Sequence, residues 1–251
     1  MLQFIHLLHN LNAMFLKQIK LADLDPNKKY VVLVPVGSTE QHGPYIPYGS
    51  DTYMTDAIVE VINQQFPDLL ILPTLEYSSS KEHQGFIGTL WLEDETLKLV
   101  FRDVCTSIEG IASKIIFFSE HGGNLHVIQE YLAEQEGIFN NIPLHHLRCD
   151  DQVVDQVASE IMNGPVDSHA GNSEISVLLS LQSKLTTIPN KDDPKTPLTS
   201  DPWETGRLKD KSKDGIADPN PEWLVSEELG DRLVEVMKEN TIQNLSKILD
   251  I

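Results

Sequence analysis

Apolar residues along this chain alternate between two patterns. Continuous apolar runs at Tyr30 to Val36 (YVVLVPV), Leu69 to Leu75, Lys114 to Ser119 (KIIFFS) and Ile142 to Cys149 read as strands covered on both faces. Between and after them, apolar residues recur at helical spacing. A helix capped by Ser50 or Asp51 runs to about Phe66, with Met54, Ile58, Val61, Ile62 and Phe66 on one face. A second covers Asp94 to Ile111, with Leu97, Val100, Phe101, Val104 and Ile108 at core spacing. Further helices follow His121-Gly122-Gly123-Asn124 to about Glu136, then cover Asp151 to Met162, about Asn172 to Leu181, and about Ser226 to Leu249. Strands alternating with helices predict right-handed crossovers and a mainly parallel sheet. Residues 189–221 break the pattern: they hold six of the 14 prolines and predict an irregular flap or subunit contact.

Composition narrows the choice of partner. With 251 residues, 40% of them hydrophobic, the chain can build one sizeable α/β core. A formal charge of −19 repels phosphate backbones and argues against nucleic acid. Cys105 and Cys149 have no pairing spacing, which fits a reducing compartment. No apolar run is long enough for a membrane span. The start, MLQFIHLLHNLNA, lacks a basic flank and a small-residue cleavage site, so the expectation is a cytoplasmic protein.

In open parallel sheets, sites form beyond the carboxyl ends of the strands. Glu40 and His42 lie just past the first run, and His121 lies past the third. Asp51 returns at a helix start, Glu174 opens a helix after Ser168-His169-Ala170-Gly171, and Gly122-Gly123 leave room for a ligand. Each piece alone reads equally well as a solvated loop; their coincidence at one sheet edge points to chemistry. His126, His145 and His146 are read as structural, and His6 and His9 as terminal. Carboxylates with imidazoles form a mixed O/N donor set suited to Zn, Mn or Fe. Glu40, His42, Asp51, His121 and Glu174 exceed what one zinc requires, and an aspartate can bridge, so two divalent ions are expected.

At these residues the chain resembles a known family. PVGSTEQHGPYIPYGSD is similar to the P-x-G-S-x-E-Q-H-G-P-H-L-P-x-x-T/S-D signature of the creatininase family. EHQGFIGTL, EHGGN, SHAGNSEIS and DGIADPNPEW follow in the family's order, and the resemblance spans about residues 14–245. It implies a three-layer α/β/α fold over residues 14–251, often a hexamer, leaving residues 1–13 as a loose tail or mis-called start. It also implies a binuclear amidohydrolase acting on a small-molecule amide. Glu40, Asp51 and His121 would hold one ion; His42, the bridging Asp51 and Glu174 would hold the other. In creatininase a metal-binding glutamate lies two residues after the third-strand histidine; here that position is Gly123, and Glu174 is the substitute. His169 matches a histidine that protonates the leaving nitrogen. Ser119-Glu120, Tyr45 and Asn172 depart from the family pattern without touching the ligand positions. Creatininase also places tryptophans near its SHAG-like segment, whereas Trp91 and Trp203 are remote in this sequence. Relatives in the family hydrolyse formamides of pyrimidine intermediates or cleave small peptides.

Alternatives stay open at this point: a formamide deformylase acting on an aminopyrimidine intermediate, or a non-catalytic metal-binding protein of the same fold. A metallophosphoesterase is disfavoured, since its G-D-x-H and G-N-H-E motifs are absent and the loops offer almost no Lys or Arg for phosphate.

Overall fold

Among the described residues the sheet has five strands: β1 (Tyr30–Pro35), β2 (Leu70–Ile71), β3 (Ala112–Phe118), β4 (Ile138–Phe139) and β5 (Ile142–Leu147). The structure is a computed structural model that describes residues 14–195, 198, 203 and 206–251. The expectation for residues 1–13 lies outside them. The sheet order is β2-β1-β3-β5-β4, with β1, β2, β3 and β5 parallel and β4 antiparallel to β5. From β1 the chain steps outward to β2, then returns to pair β3 on the other side of β1. That reversal sets the carboxyl ends of β1 and β3 side by side, with Pro35 opposite Phe118, and a crevice opens there.

Strand pleating sends alternate residues to opposite faces. Leu33, Ile116, Phe118 and Leu147 face a layer made by α1 (Ser50–Gln65), α4 (Asp151–Met162), α5 (Asn172–Gln182) and α6 (Glu227–Leu249). Val32, Val34, Ile115 and Phe117 face α2 (Asp94–Ile108) and α3 (Gly122–Glu134). The result is the expected three-layer α/β/α arrangement. Each of these buried side chains contributes roughly 1.5–3 kcal/mol relative to exposure. Close packing of α5 on α6 needs Gly230, where a Cβ would stand 1.9 Å from Ser176 O.

Several local expectations are corrected. Neither Ser50 nor Asp51 caps α1: the N-cap is Gly49, with no side-chain hydrogen bond. Ser50 Oγ instead donates to Pro47 O at 2.6 Å, and the Asp51 carboxylate is left free for another use. The second strand is ladder-paired only at Leu70–Ile71, because the segment then bends away and rejoins at a single Val36–Leu75 bridge. On its outer edge, Ile71 N donates to Met14 O at 2.9 Å and Leu16 N to Ile71 O at 2.8 Å, which covers the sheet edge. Val61, Val100 and Val104 are only half-buried, since Val59 and Cys105 take the inner positions of their helices.

Candidate metal centre

Beyond β1 the chain turns sharply and is pinned to α1, with Thr52 Oγ1 donating to Ser38 O at 2.9 Å. This places Glu40 and His42, fully buried, against Asp51 in the first turn of α1. His42 Nε2 lies 3.5 Å from Asp51 Oδ1 and 3.8 Å from Glu174 Oε2, at the start of α5. His121, the N-cap residue of α3, puts Nδ1 3.5 Å from Asp51 Oδ2 and Nε2 3.2 Å from Glu40 Oε2. Asn124 braces the crevice: its Nδ2 donates to Gly37 O at 2.9 Å and to Ser119 Oγ at 3.1 Å, while its Oδ1 accepts from Ser79 N at 3.1 Å. All five sequence-nominated ligand residues therefore meet at one point, with Asp51 between the two histidines.

Three side chains join them that the sequence did not single out. Glu82 and His83 arrive on a short 3-10 turn, Lys81–His83. Glu82 Oε1 lies 3.7 Å from His121 Nε2, and His83 Nε2 lies 3.2 Å from Glu40 Oε1. The room expected above Gly122-Gly123 is thus half taken. Gly122 opens on free space, but a Cβ at Gly123 would meet Glu82 Oε1 and His121 Nε2 at 2.4 Å and Ser79 O at 2.5 Å. The third is Trp203. It is remote in sequence, yet its ring centroid lies 5.9 Å from that of His83 and 6.3 Å from that of His169, and its Nε1 donates to Ser168 Oγ at 2.9 Å. The only sequence signal for the first two was the EHQGFIGTL segment. For Trp203 there was none.

His169 is buried, with Nδ1 3.7 Å from Glu40 Oε1. Its backbone is held by residues of the irregular 189–221 segment: His169 N donates to Ala217 O at 3.3 Å and Ala217 N to His169 O at 2.8 Å. The N-terminus of α5 is secured by Asp167 Oδ1, accepting from Ser173 N at 2.7 Å, and Asp218 Oδ2, accepting from Asn172 N at 3.0 Å. Glu174 is thereby fixed where its Oε2 accepts from Ala170 N at 2.5 Å and borders His42.

The electrostatics follow from crowding charges without water. Burial pushes the Glu40 carboxyl up to about 8, with Asp51 adding repulsion and His121 only partly offsetting it. Burial likewise raises Glu174 to about 7. For His42, burial opposes the charged ring, but the carboxylates of Asp51, Glu174 and Glu40 outweigh it and lift the imidazole to about 10. In His121 burial is outweighed by Glu40, Asp51 and Glu82, giving about 9. Asp51 is held below its ordinary value because His42 and His121 overcome its desolvation. His83 and His169 are pushed down by burial and by neighbouring imidazoles, so both are neutral.

Glu40 Oε1, His42 Nε2 and Asp51 Oδ2 are buried without a hydrogen-bond partner. Unpartnered buried polar atoms are costly, and a cation that displaces the shared protons would satisfy all three. Two sets, Glu40–His42–His169 and Glu40–Glu82–His121, bring one ligand atom from each residue within 4.8 Å of one another. The donor set fits a divalent ion. Glu40, Asp51, Glu82, His121, His169 and Glu174 line a cavity of about 390 Å³ that also reaches Trp203.

A mainly parallel α/β/α sheet with buried carboxylates and imidazoles at its topological switch point defines a metallohydrolase-type centre. A family model described as creatininase, creatinine amidohydrolase, matches residues 16–245. The chain belongs to the creatininase family, whose members are metal-dependent hydrolases. It is 33% identical over 156 residues to a mycofactocin precursor peptide peptidase of Mycolicibacterium smegmatis, covering 60% of this chain and 58% of that protein. The corresponding protein of Mycobacterium tuberculosis is 29% identical over 165 residues, covering 62% and 60%. The matches therefore span less than two thirds of those relatives. Among solved structures, creatinine amidohydrolase superposes with a TM-score of 0.77 at 20% identity, covering 94% of this chain and 97% of the other. A manganese creatininase gives 0.77 at 21% identity, covering 94% and 98%. A Zn–Zn form of a creatininase variant gives 0.77 at 20%, again covering 94% and 98%. At that identity these structures share the fold, and their ions are two of the three expected from the donor set. Among the described residues, no helix is long and apolar enough to cross a membrane.

Proposed function

We propose that this chain hydrolyses an amide C–N bond of a linear, peptide-type substrate, using two divalent ions held at the β1–β3 crevice. The observation that carries the reading is the convergence of three buried polar atoms without hydrogen-bond partners, Glu40 Oε1, His42 Nε2 and Asp51 Oδ2. Glu40, His121 and Glu82 would hold one ion, His42 and Glu174 the other, with Asp51 between them. Bound there, divalent ions supply Lewis acidity, which acidifies a water and polarises a carbonyl.

The protein's own groups do the rest. His169 is neutral at rest, so it takes the proton of the attacking water on Nδ1 and passes it to the leaving nitrogen, which departs poorly until protonated. Trp203, standing beside His83 and His169, walls the cavity and limits water near the reacting bond. An adjoining cavity of about 310 Å³ shares Glu120, His121 and Glu174 with the first and is lined by Met54, Leu233 and Met237. Arg148 and Asp155 also line it, so this partly apolar, partly charged room suits an amphipathic substrate side chain, and the peptide peptidases among the relatives support a linear amide over a cyclic one.

The test is a panel of short peptides, formamides, cyclic ureides and creatinine, assayed with zinc- and manganese-loaded protein before and after chelation. Metal-dependent release of an amine from a peptide is the expected result. Turnover confined to formamides or cyclic ureides would overturn the substrate class. Protein that binds fewer than two ions would overturn the centre itself.

A further inference from the structure

Gln41 stands between the two metal-facing residues Glu40 and His42, yet points away from them. Its side-chain amide is oriented by backbone groups whose roles cannot reverse. Gly43 N donates to Oε1 at 3.0 Å, and Nε2 donates to Gly215 O at 3.0 Å. The oxygen and nitrogen ends of the amide are therefore fixed by partners of known polarity. The fit is tight, because a Cβ at Gly215 would overlap Gln41 Oε1 at 1.7 Å.

Two imidazoles contact this residue, His83 at the side-chain amide and His169 at the main-chain carbonyl. Gln41 Nε2 lies 2.9 Å from His83 Nδ1 and 3.0 Å from His169 Nε2, and His169 Nε2 lies 2.8 Å from Gln41 O. Three protons are on offer: two on Gln41 Nε2 and one on His169 Nε2. Three acceptors await them: Gly215 O, His83 Nδ1 and Gln41 O. A single assignment fills every place. Gln41 Nε2 donates to Gly215 O and His83 Nδ1, and His169 Nε2 donates to Gln41 O. His83 must then carry its proton on Nε2, 3.2 Å from Glu40 Oε1. His169 must leave Nδ1 bare, 3.7 Å from the same oxygen.

We infer that Gln41 is a positioning residue: its backbone-locked amide fixes the tautomer of His83 and its main-chain carbonyl fixes that of His169, so that the N–H nitrogen of one and the bare nitrogen of the other stand 3.2 and 3.7 Å from Glu40 Oε1. The orientation is tied to Gly215, so the irregular 189–221 segment helps set the protonation pattern at the centre. A hydrogen-bond partner on the far nitrogen of an imidazole is what selects the working nitrogen. This rests on the reading of His169 as proton carrier only for its consequence; the tautomers themselves are measurable without any substrate.

The experiment is long-range ¹H–¹⁵N NMR of protein labelled at histidine nitrogens, in zinc-loaded and chelated forms, with peaks assigned by single-histidine variants. In the wild-type protein both His83 and His169 should be neutral, with the proton on Nε2. A proton on Nδ1 of either ring would overturn the inference. Gln41→Glu replaces the donor with an acceptor, so His83 should take up a proton at Nδ1; an unchanged His83 pattern in folded variant would equally overturn it. Should that variant not fold, Gln41→Met removes the donor alone. The His83 nitrogen shifts should then move toward each other, and zinc affinity should fall by about 10–100-fold, the usual cost of losing a group that orients a ligand shell. Wild-type shifts and affinity in Gln41→Met would count against it. The expected tautomers with no amide turnover would sink the proposed activity and leave this inference standing.

Discussion

Phe117 and Glu40 are both fully buried, near the carboxyl ends of adjacent strands, and burial means opposite things for them. Phe117 packs between Phe101, with ring centroids 4.8 Å apart, and Tyr131, at 5.9 Å. Removing such rings from water is the main favourable contribution to folding. Glu40 sits among His83, His121 and His169 with one oxygen unpartnered and its carboxyl raised by desolvation. Below the crevice, burial builds stability; at its lip, burial spends it on a constellation that a cation would complete. Proteins commonly hold such strain only where function requires it.

The contrast can be broken most forcefully at Asp51, which stands between both histidines. Asp51→Ala should abolish metal-dependent turnover, beyond about the 10⁴-fold upper range for a general acid–base residue, and elemental analysis should show both ions depleted. Retention of both ions would refute the bridging position. His169→Ala should keep both ions and lower kcat by about 10²–10⁴-fold. Metal-normalised kcat near the wild-type value would make His169 structural.

On the apolar side, Phe101→Ala should cost about 3–5 kcal/mol in denaturant unfolding. Glu40→Gln, measured in chelated protein at pH 8 or above, should cost less than this, since it relieves the desolvation of a carboxylate that His121 offsets only in part. Comparable losses for the two variants would erase the distinction between the regions. A smaller effect is expected at Glu82, which borders the set at one point, its Oε1 3.7 Å from His121 Nε2. Glu82→Gln should weaken the ion on the Glu40–His121 side by about 10–100-fold and spare the other, as chelator competition would reveal. Equal weakening of both ions would remove Glu82 from that end.

The same contrast explains what the sequence could disclose. Helix α4 was legible to its end residues, because its apolar period stops where Asn163 adopts a left-handed conformation, φ 51°. The Glu40, His42 and His121 positions were legible because each follows a long apolar strand, and sheet topology dictates where such ends meet. The other half of the site was not. Glu82 and His83 ride a three-residue turn with no periodicity, and Trp203 reaches the cavity from the proline-rich segment by tertiary packing alone. Strand β4 is two residues long, too short for any alternation to register. Asp51 was read both as a possible cap and as a bridging ligand, since its type suits either; its neighbours rule out the cap and set its carboxylate beside both histidines.

Titration offers the gentlest test of the comparison. In metal-free protein, Glu174 and Glu40 are raised to about 7 and 8, and His121 and His42 to about 9 and 10. A group whose folded pKa lies above its unfolded value contributes stability that is fully present below the unfolded pKa. That contribution disappears as pH rises through the folded pKa. The two glutamates lose theirs between the ordinary carboxylate range and about pH 8, and the two histidines between about 6.5 and 10. His83 and His169 are shifted the other way, so their contribution is lost only as pH falls below about 6.5. Chelated protein should therefore be most stable at or below about pH 6, where the glutamate losses and the His83 and His169 gains nearly cancel, and its Tm should fall steadily from there toward pH 9. Metal ions take the place of these protons, so their affinity rises with pH. The gap in Tm between zinc-loaded and chelated protein should widen over the same interval. Thermal unfolding at pH 6, 7, 8 and 9 in both forms decides the matter: a chelated Tm that stays level or rises would mean that the polar lip is not held together by shared protons, and that its burial costs no more than that of the core beneath it.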